Sequence, residues 1–191
     1  MKQLLALVTI LISTSVFAQK NSPNISYSMA GIEGGFKWSS ADVENADSTK
    51  SRIGYMVGGT AVFDIAPEFG LKTGLLYNER PFESTMTVLG NSVNVNGKVS
   101  YVDVPVFFMF KFEEYAGIYI GPSLSMKLAD EVSSGKLQNV KGMVVPLTVG
   151  GQFKFTPNLG LDFYFETVTS EIADGIKNTR AVGANLLITF D

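Results

Sequence analysis

Alternation of apolar and polar side chains with a period of two residues is the feature that most constrains the fold of this chain. It is clearest in 52–65, where every second position from Ile53 onward is apolar or Gly and the intervening positions are smaller or more polar. Successive side chains of a β-strand point to opposite faces of the sheet. The pattern recurs about eight times along the sequence, in segments of about ten residues. Such repetition is typical of a transmembrane β-barrel with lipid outside and polar groups inside.

The spacing of these segments predicts how the strands are connected. Candidate strands lie at 26–38, 52–65, 69–80, 98–112, 115–128, 142–155, 159–170 and 180–190. Connections near positions 67, 113 and 157 are short, whereas those near 45, 90, 135 and 175 are long. Outer-membrane barrels alternate in this way, and an even strand number closes the sheet without a free edge. We therefore predict an all-β fold, an eight-stranded antiparallel up-and-down transmembrane β-barrel.

The N-terminus carries the features of an export signal. Lys2 precedes the apolar run 4–12, and Val16-Phe17-Ala18 supplies the small-residue ending that precedes a cleavage site. The apolar run is too short to span a bilayer comfortably. We predict a signal peptide over 1–18, a barrel domain over 19–191, and export to the cell outer membrane.

The sequence lacks two residue types on which many catalytic and metal sites depend. It contains no His and no Cys, which excludes a Ser-His-Asp triad, a Cys-His pair, a typical zinc site and a disulfide framework. Asp162 and Glu166 share a strand face, but four residues place them roughly 13 Å apart, farther than the carboxylate pairs of glycosidases. The net charge of −3, without a basic patch, gives no sign of nucleic-acid binding. We predict no enzyme activity, catalytic residue, cofactor or metal.

The polar faces of the candidate strands carry charged residues that we expect to meet inside the barrel. Eight strands leave a lumen just wide enough for side chains to fill. Opposite charges should pair there, because an isolated buried charge is costly. A structural plug is the favoured interpretation, and a narrow channel for small solutes is the alternative. The predicted lumen charge network consists of Lys72, Asp103, Lys127, Lys154, Asp162 and Glu166.

The apolar faces decide between lipid and water outside the barrel. The same periodicity would also fit a soluble lipocalin-like binding barrel of the periplasm, with its apolar face turned inward. The apolar faces are too bulky and aromatic for one small interior, which favours lipid outside. Aromatic residues near the strand ends are typical of the girdles at the two lipid–water interfaces; they include Trp38, Tyr55, Tyr77, Phe69, Phe112 and Phe155.

Three short motifs resemble those of a known family. The segment Tyr101-Val102-Asp103-Val104-Pro105-Val106 resembles the Y-x-E/D-x-P-Φ signature of the outer-membrane β-barrel family typified by PorT, which is common in Bacteroidetes. The segment 31–36, GIEGGF, is similar to the opening G-x-K/x-G-G-Φ motif of that family. The segment 71–77, LKTGLLY, is similar to its x-E-L-L-Y segment, with Lys72 where Glu is more usual. The resemblance covers essentially the whole chain after the signal peptide.

The resemblance carries implications that the residues alone do not. It implies an integral outer-membrane protein whose partners are outer-membrane lipid and the barrel-assembly machinery. PorT itself is linked to protein secretion, so the resemblance also implies a secretion or envelope partner. The expected role is structural or accessory and is exercised through the long outside loops.

Overall fold

The strands and their order decide whether the predicted barrel exists. A computed structural model describes residues 27–88, 91–113, 116–133, 135 and 137–190 of the chain. Within these residues ten strands form one sheet: β1 (Tyr27–Val43), β2 (Ser48–Lys50), β3 (Arg52–Ala66), β4 (Phe69–Val88), β5 (Asn91–Glu113), β6 (Ala116–Val132), β7 (Met143–Val144), β8 (Leu147–Thr156), β9 (Leu159–Val168) and β10 (Ile176–Thr189). The predicted signal peptide, 1–18, lies outside the described residues. No helix in the described ranges is long and apolar enough to cross a bilayer.

The eight long strands close into a ring. Their order is β4-β3-β1-β10-β9-β8-β6-β5, and β5 pairs back with β4. Every neighbouring pair is antiparallel, and the first and last strands of the chain meet through a continuous register from Gly31↔Thr189 to Ser40↔Arg180. The predicted all-β, eight-stranded antiparallel barrel is therefore confirmed. The two remaining strands, β2 and β7, are short additions to β4 and β6.

Apolar side chains cover the outside of the ring. Strand β3 shows the rule, since Ile53 is 63% exposed whereas Met56 and Val62 are buried. Stacked aromatic rings mark the two ends of this apolar surface. Tyr55 and Tyr77 stack with centroids 5.4 Å apart near the end of the barrel that carries the long loops, which we call the long-loop end. At the opposite, short-turn end, the rings of Phe69 and Phe108 lie 5.3 Å apart.

Strands β4 and β5 extend much farther than the predicted segments 69–80 and 98–112. The stretch 81–97, predicted as a connection, forms a hairpin paired without interruption from Pro81↔Lys98 to Val88↔Asn91. Beyond the lipid the backbone stays extended because the two strands continue to satisfy each other's hydrogen bonds, and the Thr and Val residues of this stretch favour that conformation. Strand β2 adds to β4 through 48–50↔83–85. These segments form what we call the outside sheet: β2, β4 from 79 to 88, β5 from 91 to 100, and β6 from 129 to 132.

Proline divides the predicted strand 142–155 into two. Strand β7 ends at Val144 and β8 begins at Leu147, with Pro146 between them. Pro lacks the N–H that a ladder needs, but the Pro146 carbonyl still accepts a hydrogen bond from Ser123 N at 2.9 Å. The break therefore interrupts the ladder without opening the wall of the barrel.

Candidate functional site

The half of the lumen nearer the short turns contains a small group of charged residues that we call the lower cluster. Lys72 on β4 lies at its centre, with Nζ 2.5 Å from Asp162 Oδ2 and 2.9 Å from Glu33 Oε2. The hydroxyl of Tyr119 donates a hydrogen bond to Asp162 Oδ1 at 2.6 Å. All four side chains are buried. One ammonium group from β4 thus holds two carboxylates from β1 and β9, the strands that flank β10 in the ring.

Nearer the long-loop end lies a second group, the upper cluster, organised around Arg80. Its Nη2 lies 2.8 Å from Asp103 Oδ2 and 3.0 Å from Glu166 Oε2. Lys37 Nζ donates to Glu166 Oε1 at 3.1 Å, and Asn78 Nδ2 bridges Asp103 and Glu166 at 2.7 and 3.1 Å. Two cations therefore face two carboxylates, so the charges of the upper cluster cancel. Such pairing is what allows charged groups to remain buried.

Aromatic rings add a further contact to the central cation of each cluster. Lys72 Nζ lies 4.6 Å from the centroid of the Tyr119 ring, and Arg80 Cζ lies 4.8 Å from that of Tyr101. These distances fall within the range of cation–π attraction. Phe107 stacks on Tyr119 with centroids 5.1 Å apart, which holds the ring in position over the lysine.

A small cavity separates the two clusters. Its volume is about 20 Å³, and Glu33, Asn78 and Tyr164 are among the residues that line it. This volume accommodates about one water molecule. The Asn78 Oδ1 and Tyr164 hydroxyl oxygens have no hydrogen-bond partner among the described residues, and Glu33 Oε2 contacts Lys72 as an ion pair without hydrogen-bond geometry. These atoms can therefore form hydrogen bonds to a single water molecule in the cavity. A continuous aqueous path would need far more room.

Apolar side chains close the lumen at both ends. Toward the short turns, Met29, Val62, Met109 and Leu187 belong to one buried cluster. Toward the long loops, a second cluster includes Phe82, Val99, Tyr101, Ile172 and Ile176. The loops above it are tied together, since Lys141 N donates to Ile172 O at 2.9 Å and Asp174 N to Gln138 O at 3.1 Å. The described interior is therefore a filled core with a charged middle.

The outside sheet changes character along its length. At its base, Lys98 Nζ lies 2.9 Å from Glu79 Oε1 and 3.6 Å from Glu131 Oε2. Toward the tip, Glu83 lies 4.0 Å from Lys50 and 3.9 Å from Arg52. Beyond these pairs, the segment 84–97 contains no charged residue.

The lumen, its closure and the apolar exterior together describe a barrel built for a membrane. A family model described as "Outer membrane protein beta-barrel domain" matches residues 17–167 of the chain. This chain belongs to that family. Membership agrees with the apolar outer surface and overturns the soluble lipocalin-like alternative, because here the apolar faces point outward and the polar faces inward.

One solved structure with a TM-score above 0.5 shares this fold, and two others are similar at lower TM-scores. The Neisserial surface protein A is 16% identical, with 88% of this chain and 100% of that chain covered and a TM-score of 0.55. Ail of Yersinia pestis is 18% identical over 84% of this chain and 98% of that chain, with a TM-score of 0.47. OprG from Pseudomonas aeruginosa is 12% identical over 84% and 93%, with a TM-score of 0.46. None of the curated proteins matches the sequence.

The structure of this outer-membrane barrel brings together four of the six residues predicted for the lumen charge network. Lys72 and Asp162 belong to the lower cluster, and Asp103 and Glu166 to the upper one. Lys154 faces the lumen and is 8% exposed, but lies toward the short-turn end, opposite Gly160 on β9.

The prediction that Lys127 belongs to the lumen charge network is wrong, because Lys127 takes part in neither cluster. Its side chain is 30% exposed and Nζ donates to Asp130 Oδ1 at 2.9 Å. It lies near the outer end of β6, closer to the long loops than the buried charges of either cluster. The alternation of side chains gives the correct face for Lys127 but not its height in the barrel.

Sequence reasoning missed three charged members of the clusters, Glu33, Lys37 and Arg80. A signal for the first two was present, because they alternate with the outward-facing Ile32 and Trp38 in β1. Arg80 shares the parity of Lys72 along β4 and stands at the end of the predicted strand. Extending the period-two pattern through both strands would have found all three.

Proposed function

We propose that this outer-membrane barrel is a non-conducting scaffold that works through its outside sheet, where it binds an envelope or secretion partner. The observation that carries the proposal is the contrast between the two parts of the molecule. The lumen is filled by paired charges between two apolar clusters. Beyond the aromatic residues of the long-loop end, β4 continues for ten more positions, 79–88, which amounts to about 30 Å along a strand.

Several finer features of the proposal rest on sequence motifs. Export by the signal peptide 1–18 and insertion by the barrel-assembly machinery are supported by the N-terminal pattern and by the alternating last strand, β10. The Tyr101–Pro105 motif supports a PorT-like member of the kind common in Bacteroidetes, and through PorT a role in protein secretion. The proposed role is not enzymatic, since the buried carboxylates are engaged with cations.

Conductance separates the scaffold from the alternative, a narrow channel for small solutes. We expect the purified barrel in a planar lipid bilayer to show no discrete current steps in molar KCl, because paired charges and apolar side chains fill the described lumen, and the cavity of about 20 Å³ between the clusters cannot hold a file of hydrated ions. Reproducible steps whose size changes in Lys72→Met would establish a channel and overturn the closed scaffold.

Shortening the hairpin tests whether the outside sheet is the working surface. Ser84 and Val95 face each other, so replacing 85–94 with Asn-Gly joins them through a two-residue turn that suits a hairpin. We expect cells that carry this variant to contain normal amounts of barrel in the outer membrane but to show the secretion or envelope defect of a strain that lacks the protein. A strain indistinguishable from wild type would place the function elsewhere.

A further inference from the structure

Among the described residues, one side of the hairpin tip has no strand paired to it, because β6 ends before the tip. Strand β6 pairs with β5 up to Gly97↔Val132. One residue farther, Ser133 N donates to Asn96 O at 2.7 Å, and Asn96 N donates to the Ser133 hydroxyl at 3.0 Å. Strand β5 continues outward from there to Asn91, paired with β4 on one side and with no described strand on the other. We call the edge of β5 from 91 to 95 the vacated lane.

The backbone groups that face the vacated lane follow from the ladder. Asn96 directs both its N–H and its C=O toward Ser133, and in an antiparallel strand every second residue points the same way. Ser92 and Asn94 therefore direct their N–H and C=O groups into the lane. The hydrogen bonds of β4 agree. Asp47 N donates to the carbonyl oxygen of Thr85 at 2.9 Å, so the backbone groups of Thr85 face the far edge of β4. Asn94 lies opposite Thr85, and its backbone groups therefore face away from β4, into the lane. Both Ser92 and Asn94 are exposed.

The lane differs from the other edges of the outside sheet in its chemistry. Proteins usually protect a free edge with charged side chains or by keeping the edge strand short. Strand β2 is three residues long and ends at Lys50, and the outer end of β6 carries Asp130 and Glu131. The segment 84–97 has no such charge. An uncharged, strand-forming, exposed edge is the arrangement that accepts another strand.

We propose that the vacated lane binds an extended, uncharged segment of a partner polypeptide, which adds to β5 as a further strand. The inference rests on the proposed function of the outside sheet and specifies the chemistry of the partner. One face of the tip carries Val93 and Val95, and the other carries Asn94 and Asn96. The matching segment is about five residues long and alternates apolar with small polar side chains. A charged side chain in its centre would meet no opposite charge on 84–97.

A second copy of the chain in the same membrane fits this lane poorly. Barrel strands are tilted by about 35–45° from the barrel axis. A two-fold axis along the membrane normal then leaves the two β5 tips crossed by about 70–90° rather than aligned for pairing. An extended segment of a separate polypeptide carries no such constraint on its direction.

A matched pair of proline variants tests the assignment. Ser92 and Thr87 face each other across the hairpin and are both exposed. The ladder directs the Ser92 N–H into the vacated lane and the Thr87 N–H to the opposite edge. Ser92→Pro and Thr87→Pro thus change the hairpin equally, but only the first removes a donor from the lane and places a proline ring in it.

The probe is a fluorescein-labelled Thr-Val-Thr-Val-Thr-Lys amide, with Lys at the end for solubility, titrated with the detergent-solubilised full chain. We expect the wild type and Thr87→Pro to bind within about twofold of each other, and Ser92→Pro to bind at least about tenfold more weakly, since it loses hydrogen bonds and gains a clash. A peptide N-methylated at every amide of its Thr-Val-Thr-Val-Thr stretch, which has no N–H to donate on either edge, should not bind the wild type.

Other outcomes overturn the assignment. The lane is not a strand-binding site if the N-methylated peptide binds as well as the plain one, if all three proteins bind equally, or if the wild type does not bind. Dimers of the wild type that Ser92→Pro abolishes would assign the lane to a second copy instead. The hairpin-shortening experiment stays independent, because a secretion or envelope defect without peptide binding would retain the outside sheet as the working surface while removing this lane.

Discussion

Lys72 is the residue on which the lower cluster depends, because it is the cation between Glu33 and Asp162. We predict that Lys72→Glu lowers the free energy of unfolding by about 3–5 kcal/mol or prevents folding, since it leaves a buried carboxylate cluster without its cation. Adding Glu33→Lys should recover most of the loss, because one cation then again faces two carboxylates. Urea unfolding in detergent measures both variants, with Lys127→Gln as the exposed control.

This charge exchange also bears on the family resemblance. In the PorT-like motifs that this sequence resembles, the opening motif admits Lys at the position of Glu33, and the later segment has Glu as the more usual residue at the position of Lys72. In this chain the two side chains face each other at 2.9 Å. The departure at Lys72 is therefore matched here by an acidic residue at a position where the opening motif also admits Lys. A double variant no more stable than Lys72→Glu alone would contradict this interpretation.

Gly183 is a second residue whose identity the packing demands. A Cβ there would lie 2.3 Å from Cζ of the Tyr164 ring, whereas a Cβ at Gly59 would have its nearest neighbour at 3.8 Å. We predict that Gly183→Ala destabilises the barrel by about 1–3 kcal/mol because the ring must move within a filled lumen. Gly59→Ala should change stability by less than about 0.5 kcal/mol. Equal unfolding midpoints for the two variants would show that the ring moves freely.

At the scale of the element, the β4–β5 hairpin combines two parts of different stability. Its inner part is paired on both sides within the ring, while the described part of the tip, 86–88 with 91–95, is a two-stranded ribbon whose residues 87 and 91–94 are exposed. We predict that amides of the tip exchange with deuterium at least about a hundredfold faster than those of 70–78, since local opening there disrupts few contacts. Mass spectrometry of peptic fragments measures this, and uniform protection along β4 would contradict it.

The elements also show what sequence could and could not predict. The period-two pattern predicted the eight spanning strands and their faces, because lipid on one side and a polar lumen on the other impose it on every strand. It missed the extension of β4 to Val88, since outside the lipid that chain is kept extended by pairing with β5 and β2 rather than by a lipid-facing pattern. It also could not assign ion pairs. Lys37 meets Glu166 because the ring order places β1 and β9 on either side of β10, and ring order is not local information.

At the scale of the whole molecule, ring closure predicts resistance to detergent. The seam between β1 and β10 is paired, as are all other neighbouring long strands, so the ring of long strands offers SDS no free edge from which to unravel it. We predict that the protein is recovered in the outer-membrane fraction and that its unboiled form migrates differently from its boiled form in SDS gels. A periplasmic soluble band that does not shift on heating would contradict the membrane barrel.

The long sequence separation of the lumen ion pairs has a consequence for how the molecule is made. Lys37 and Glu166 are 129 residues apart, and Lys72 and Asp162 are 90 apart. A half-assembled sheet holds these groups without their partners, which is costly once lipid surrounds it. Contacts so distant in sequence also form slowly. Biogenesis is therefore expected to end in one late cooperative event, in which the seam closes, the charges are neutralised and the finished cylinder is released into the bilayer together.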